Sequence, residues 1–206
     1  MSGCCDDKVF VGMSDAYKRA LVAVIFINII MFGVEITAGL QSGSQSLLAD
    51  ALDFAGDSAT YTISLFVIGA SVRTRAMASL FKGGSLAIIA AVILLTSAVR
   101  FFGDDVPTAE TMGLIGFMAL FANLASLVIL MRWRDGDSNV RSVWLCSRND
   151  AIGNVGVIMA GVVVAITGAA WPDLLVAILL ASLFLRSAIS IILQAKHELK
   201  SGDVHT

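Results

Sequence analysis

Six long apolar stretches constrain the fold of this sequence more than any other feature. They cover roughly 17–40, 45–71, 79–101, 110–131, 141–167 and 172–195. A helix needs about 20 mostly apolar residues to cross the hydrocarbon core of a bilayer. The chain has 57% hydrophobic and 15% charged residues, whereas soluble domains carry about 25% charged residues. The sequence therefore predicts an all-α fold, a six-helix transmembrane bundle.

The breaks between these stretches contain residues typical of loops, and both prolines, Pro107 and Pro172, lie in them. The predicted organisation is a polar N-terminal tail at 1–16, a six-helix transmembrane domain at 17–195 and a short polar tail at 196–206. The N-terminal tail lacks the continuous apolar core of a cleavable signal peptide. We therefore expect one membrane domain without a further folded domain.

The distribution of basic residues predicts the orientation. With the N-terminus in the cytoplasm, the cytoplasmic segments hold eleven Lys and Arg residues and the opposite loops hold only Arg100. Cytoplasmic loops of membrane proteins carry an excess of Lys and Arg. Both termini are therefore expected in the cytoplasm. The acids expected in the exterior loops are Asp104, Asp105, Glu110 and Asp173. A small chain of this kind suggests a bacterial inner membrane, and the net charge of −2 argues against nucleic acid as a partner.

Acidic residues interrupt the second apolar stretch. Asp50, Asp53 and Asp57 lie there at spacings of three and four. Each charged side chain at the centre of a bilayer costs about 2.5–3.5 kcal/mol on insertion scales, so such residues usually serve a function. The fifth stretch contains Cys146 and Asp150. Polar chemistry is thus concentrated on a few helices.

The acids of these two helices are expected at the same depth. Asp53 lies nine residues after Ser44, where the second stretch begins, and Asp150 lies nine residues after Arg141, where the fifth begins. A rise of about 1.5 Å per residue places each acid about 14 Å deep. The hydrocarbon core is about 30 Å thick. Two helices that run in opposite directions therefore bring their acids to the midplane.

Spacing makes these residues a candidate metal site. Asp53 and Asp57 are four residues apart, as are Cys146 and Asp150, and residues four apart share a helix face. Zinc takes four tetrahedral ligands drawn from Cys, His, Asp and Glu. The set matches this description in type and number. An alternative role for Cys146 is that of a small apolar side chain that fills space between helices.

Other polar residues in the stretches have structural alternatives. The aspartates have the alternative of hydrogen bonds to neighbouring helices or of a pairing with Arg148. Asp50 lies a turn nearer the outside and is compatible with an entry path. Asn28 and Asn154 fit hydrogen bonds between helices, and Glu35, on the same face as Asn28, fits a helper carboxylate on an ion pathway.

The quoted segments carry a family resemblance. The segment "SGSQSLLADALDFAGD" resembles the second helix of cation diffusion facilitators, and "CSRNDAIGNVGVIMAG" resembles their fifth. The segments "NIIMFGVEITAGLQSGS" and "WPDLLVAILLASLFL" are similar to their first and sixth helices. The resemblance extends over nearly all of 15–195. It implies export of a divalent cation in exchange for protons, with the cation as cargo and no prosthetic group.

By the same resemblance, the transport site falls on Asp53, Asp57, Cys146 and Asp150. Cys146 stands where the family usually has His, and a thiolate favours zinc or cadmium over manganese or magnesium. Without Cys146, the three carboxylates suit iron or manganese, and Asn149 is a substitute oxygen ligand. The family commonly has a C-terminal cytoplasmic metal-binding domain that helps it to dimerise. This chain is expected to be a short form without that domain, so a homodimer is expected to form through the membrane helices.

Three other functions are alternatives to transport. An intramembrane aspartyl protease also uses two membrane aspartates, but the sequence lacks the Tyr-Asp and Gly-x-Gly-Asp signatures of those enzymes, so no enzyme is expected. A non-transporting membrane adaptor with a polar core is a further alternative. A channel is disfavoured because four tight ligands hold an ion too well for fast passage. The adjacent Cys4 and Cys5 show no spacing of a disulfide framework or of a closed zinc site.

Overall fold

A computed structural model describes residues 14–66, 72–103, 105–133 and 138–202. This part of the chain contains six long helices and no strand. They are α1 (Asp15–Ser42), α2 (Gln45–Phe66), α3 (Val72–Arg100), α4 (Ala109–Leu130), α5 (Ser138–Thr167) and α6 (Trp171–Gly202), with a short 3-10 helix at Met131–Trp133. The predicted all-α, six-helix architecture is confirmed.

Helix boundaries depart from the hydropathy pattern in two places. The break predicted at 72–78 is wrong, since α3 begins at Val72. At the other end of the chain, α6 continues through Gly202, so the polar tail predicted at 196–206 begins as helix. Both segments are polar but rich in residues that form helices well. Hydropathy marks the part of a helix that suits hydrocarbon, whereas the helical backbone extends beyond it.

Five of the helices are long and apolar enough to cross a membrane, and α2 is the exception. Every 18-residue window of α2 contains Asp50, Asp53 and Asp57. The charge of these residues, rather than the length of the helix, separates α2 from the others. A helix with three acids needs protein neighbours within the bilayer, because lipid cannot solvate the carboxylates.

The neighbours of α2 are the other helices of the bundle. Helix α2 packs most closely on α1, while α4 packs on α5 and α3 on α6, and α2 also contacts α5 and α6. Small residues line one of these contacts: Ala49, Ala90, Ala177 and Ala181 are buried where α2, α3 and α6 meet. Large apolar side chains such as Phe121 are exposed on the outer surface, as expected for a lipid-facing bundle.

The close contact between α3 and α6 depends on a glycine. A methyl group on Gly83 would lie 2.8 Å from Cγ1 of Ile192 and 3.2 Å from the carbonyl oxygen of Ala188. The adjacent Gly84 has no atom within 4 Å of the same position. Overpacking a tight contact costs about 1–3 kcal/mol, whereas Gly→Ala at an unobstructed helical position stabilises by about 0.5–1 kcal/mol.

We therefore expect Gly83→Ala to lower the melting temperature of the purified protein and Gly84→Ala to raise it slightly. The two variants make the same chemical change at adjacent positions of one helix, so helix propensity cancels in the comparison. Thermal unfolding in one detergent measures both. Equal melting temperatures for the two variants would show that α3 and α6 do not pack as described.

The connection between α1 and α2 is buried and held by other helices. Gly43 has a positive φ of 72°, which a residue with a side chain rarely adopts. The carbonyl oxygen of Gly43 accepts from Arg100, and that of Ser42 accepts from the amide of Thr108 at 3.1 Å. Residues from α3 and from the α3–α4 connection therefore fix this turn. We call this end of the bundle, where α1 meets α2, the α1–α2 end.

Asp173 also contacts this turn. It lies in the first turn of α6, so the prediction that it lies in an exterior loop is wrong. It is 1% exposed. Its carboxylate accepts hydrogen bonds from the amides of Gln45 (2.7 Å) and Ser46 (3.0 Å) and from the hydroxyls of Ser44 (2.7 Å) and Ser46 (2.6 Å). The first amides of a helix have no partner within the helix. Asp173 therefore caps α2 from a different helix.

Candidate metal centre and its polar neighbours

A chain of buried amides joins α4, α5 and α2. The side-chain nitrogen of Asn123 donates to the side-chain oxygen of Asn154 at 2.9 Å. Asn154 in turn donates from its side-chain nitrogen to Oδ2 of Asp50. The three side chains are at most 3% exposed. The hydrogen bond between helices expected for Asn154 is present, and Asp50 is its acceptor.

Glu35 of α1 is a further buried acid. Its side chain is fully buried, and neither carboxyl oxygen receives a hydrogen bond from the described part of the chain. Asp50 and Asp53 of α2 both act on Glu35 through their charge.

The contact between Asp50 and Asn154 fixes how α2 and α5 are aligned. The two helices run in opposite directions, so one step along α2 corresponds to a step back along α5. Asp53 follows Asp50 by about one turn of α2, and Asp150 precedes Asn154 by about one turn of α5. Because the two helices are antiparallel, we expect Asp53 and Asp150 at a similar depth.

The structure describes three of the four predicted ligands. Asp53, Asp57 and Asp150 are half-buried, and the hydroxyl of Tyr61 donates to Oδ2 of Asp57. Cys146 lies in α5, but its side chain is outside the described residues, as are Cys4 and Cys5. Among the side chains that are described, no group of three His, Cys, Asp or Glu is close enough to hold a metal ion. The four-ligand site remains a prediction.

Two residues beside Asp150 have alternative roles: Arg148 as a partner for the aspartates and Asn149 as a substitute ligand. Arg148 and Asn149 are both exposed, and Arg148 donates to Oδ1 of Asn149 at 3.3 Å. Both side chains are therefore accessible at the surface of α5. This orientation does not favour Asn149 as the substitute oxygen ligand.

Sequence reasoning assigned no role to Asn123 and placed Asp173 in an exterior loop. The sequence feature that could have indicated the role of Asn123 is its isolated polar side chain in an apolar stretch. No local pattern indicates that Asp173 contacts α2, because Ser44 lies 129 positions away. The interpretation of Glu35 as a helper carboxylate remains a prediction.

Comparison with known proteins agrees with this architecture. The family profile described as "Cation efflux transmembrane domain" matches residues 21–199. A zinc transporter, ZitB, from Yersinia pestis is 30% identical over 90% of this chain and 63% of its own length. A "cadmium, cobalt and zinc/H(+)-K(+) antiporter" from Bacillus subtilis is 27% identical over 90% of this chain and 64% of its own length. The metal cation efflux protein CzcD of Cupriavidus metallidurans is 24% identical over 79% of this chain and 55% of its own length.

The chain thus spans less than two thirds of the length of these curated relatives. The matched part is the membrane domain. Together with five helices apolar enough to cross a membrane and relatives from bacteria, the match identifies a multi-pass integral protein of the bacterial inner membrane. The chain belongs to the cation efflux family, the cation diffusion facilitators.

Proposed function

We propose that this chain exports divalent metal cations, with zinc and cadmium as the main cargo, in exchange for protons. The observation that carries the proposal is the hydrogen bond from Asn154 to Asp50, because it joins α5 to α2, the two helices that hold the four proposed ligands. The names of the bacterial relatives, which mention zinc, cadmium and cobalt, support this choice of cargo.

In the proposed site, Asp53 and Asp57 of α2 and Cys146 and Asp150 of α5 bind the ion. Three carboxylates and one thiolate offer the tetrahedral set that suits zinc. The thiolate adds a preference for soft ions such as cadmium. Iron and manganese become favoured cargo only if Cys146 does not bind the ion.

The same oxygens account for proton exchange. A carboxylate that binds a divalent ion must give up its proton, so metal and protons compete for one site. Release of the ion on the far side allows the carboxylates to take up protons again. Alternating access follows if the helices tilt around a fixed site near the bilayer midplane. The predicted homodimer would then form through membrane helices.

An intramembrane aspartyl protease and a non-transporting adaptor are the two alternative functions. Membership of a family of transporters argues against the intramembrane aspartyl protease and supports the prediction that the chain is not an enzyme. A non-transporting adaptor differs from a transporter in its response to metal. Zinc should raise the melting temperature of the wild type but not that of Asp57→Ala, because only a bound ligand stabilises the folded state.

Cys146→Ser tests the choice of metal. We expect cadmium uptake into everted membrane vesicles to fall by about tenfold relative to zinc uptake, which corresponds to about 1.4 kcal/mol, because serine supplies a harder oxygen ligand. Zinc, cadmium, iron and manganese are measured in parallel.

The variant Cys4→Ser with Cys5→Ser is the matched control, since it removes thiols outside the site. A ratio of cadmium to zinc uptake that is the same in Cys146→Ser and in the wild type would contradict the role of Cys146. It would leave the three carboxylates as the metal site.

A further inference from the structure

We propose that the groove beside Arg100, at the end of α3, binds an anionic phospholipid of the leaflet at the α1–α2 end. The guanidinium of Arg100 binds the phosphate group, and an acyl chain lies along Leu95 and Val99. The site is separate from the four proposed metal ligands, and the inference does not depend on metal transport.

The groove is apolar except at its outer end. It has a volume of about 250 Å³ and is lined by Leu95, Thr96, Val99 and Arg100, which lie in the last two turns of α3. Leu95 is 68% exposed and Val99 is 74% exposed, whereas Arg100 is half-buried. An apolar surface that ends in a cation complements a phospholipid, whose phosphate lies outside its acyl chains.

Arg100 lies at the level of the lipid headgroups. It is the last residue of Ser79–Arg100, a segment that is long and apolar enough to cross a membrane. Trp171 begins α6 and is 51% exposed, and it lies at the same end of the bundle because Asp173, in the same turn, contacts the start of α2. Tryptophan is enriched at membrane–water interfaces, and an arginine near a helix end extends its charge toward that interface.

The guanidinium of Arg100 has donors available for a phosphate. Its Nη1 donates to the carbonyl oxygen of Gly43. In the described part of the chain, Arg100 makes no other hydrogen bond and no ion pair with a carboxylate. An arginine has five N–H donors, so several remain. They can form two parallel hydrogen bonds to a phosphate, while the bond to Gly43 holds the side chain in place.

Arg100 is the group of the groove that recognises the ligand. The hydroxyl of Thr96 donates to Oε1 of Gln45 at 2.8 Å and is therefore not available to a phosphate. Two acids at this end, Asp105 and Glu110, are exposed to water, where salt screens their charge. Phosphatidylglycerol carries an uncompensated negative charge, whereas phosphatidylcholine adds an ammonium group that Arg100 repels. The charge of the groove therefore favours the anionic lipid.

Photo-crosslinking of the purified full chain in nanodiscs tests the site. The discs consist of phosphatidylcholine with a small fraction of a lipid that carries a diazirine on its acyl chain. This lipid is phosphatidylglycerol in one sample and phosphatidylcholine in the other. Mass spectrometry locates the adducts, and the measured quantity is the ratio of phosphatidylglycerol adducts to phosphatidylcholine adducts at residues 95–99. The same ratio at Phe121, an exposed residue of α4, gives the background.

In the wild type, we expect the ratio at 95–99 to exceed the ratio at Phe121 by about fivefold, the effect of one basic residue on an anionic lipid. Arg100→Gln should abolish this excess. Arg100→Lys keeps the charge but lacks the planar fork, so it should retain part of the excess. Arg19→Gln is the matched control, because it removes the same charge at an exposed position of α1, at the opposite end of the bundle. It should match the wild type.

An excess that is the same in Arg100→Gln and in the wild type would overturn the lipid site, as would equal ratios at 95–99 and at Phe121 in the wild type. Two further results would also overturn it. Loss of the excess on addition of inorganic phosphate would indicate a site for the free anion rather than for a lipid. Adducts at Phe121 but none of either lipid at 95–99 would indicate that a second copy of the chain covers the groove.

Discussion

Asp53→Ala is expected to weaken zinc binding at least about 100-fold, which corresponds to about 2.8 kcal/mol, and to abolish zinc-dependent proton flux in proteoliposomes. Asp53 is one of the two proposed ligands of α2 and is expected at the same depth as Asp150. Three remaining ligands cannot complete a tetrahedral site, and water must fill the fourth position. The loss of one carboxylate also removes part of the negative charge that attracts a divalent ion. Isothermal titration with zinc and a pH-sensitive dye inside the vesicles give the two readouts.

The control for this prediction is Asp105→Ala. Asp105 is an exposed acid in the connection between α3 and α4, so its removal changes the net charge by the same amount without touching the bundle interior. Zinc binding and flux should stay at the wild-type level. Near-normal flux in Asp53→Ala would reject Asp53 as a ligand, and with it the four-ligand site.

Asp173→Ala should cause the largest loss of stability among the variants considered. The substitution leaves two backbone amides and two hydroxyls without their acceptor at the buried start of α2. Hydrogen bonds to a charged group contribute about 1.5–3 kcal/mol each and are not additive. An acid at a helix N-terminus adds about 0.3–2 kcal/mol. A total near 4 kcal/mol is therefore expected, and the melting temperature should fall by about 10 °C.

Thermal unfolding in a single detergent measures this effect, with Asp105→Ala again as the control. Asp173→Asn separates the two contributions. It keeps one acceptor oxygen but removes the charge and places an amide nitrogen near donors, so its stability should lie between those of the wild type and Asp173→Ala. If Asp173→Ala and Asp105→Ala have the same melting temperature, Asp173 does not hold the start of α2.

The helices and the aspartates of α2 show how much of the structure can be predicted from the sequence. Six helices could be predicted from hydropathy, because a stretch of about 20 apolar residues is enough to indicate a membrane-spanning helix. This is a local property of the sequence. The three aspartates of α2 were singled out because an intramembrane charge needs a function. The start of α3 was placed too late, since the polar residues that precede its apolar part form helix equally well.

The polar network could be predicted only in part. The helical period gives the spacing of Asp53 and Asp57 within one helix. It does not state which residue of another helix lies opposite. Asn154 and Asp50 are 104 positions apart, and no local pattern connects them. The partner of a buried polar group depends on which helices pack together and on how far each is shifted along its neighbour.

The sequence by itself therefore determined the membrane class, the number of helices and the chemical types available for a metal site. These properties depend on composition and on the spacing of residues within single helices. The tertiary structure alone decided that Asp173 caps α2, and that Asn123 and Asn154 hold α4 and α5 to α2. These contacts join distant segments, and their existence depends on the packing of whole helices, because a buried polar group takes whichever partner that packing brings within hydrogen-bonding range.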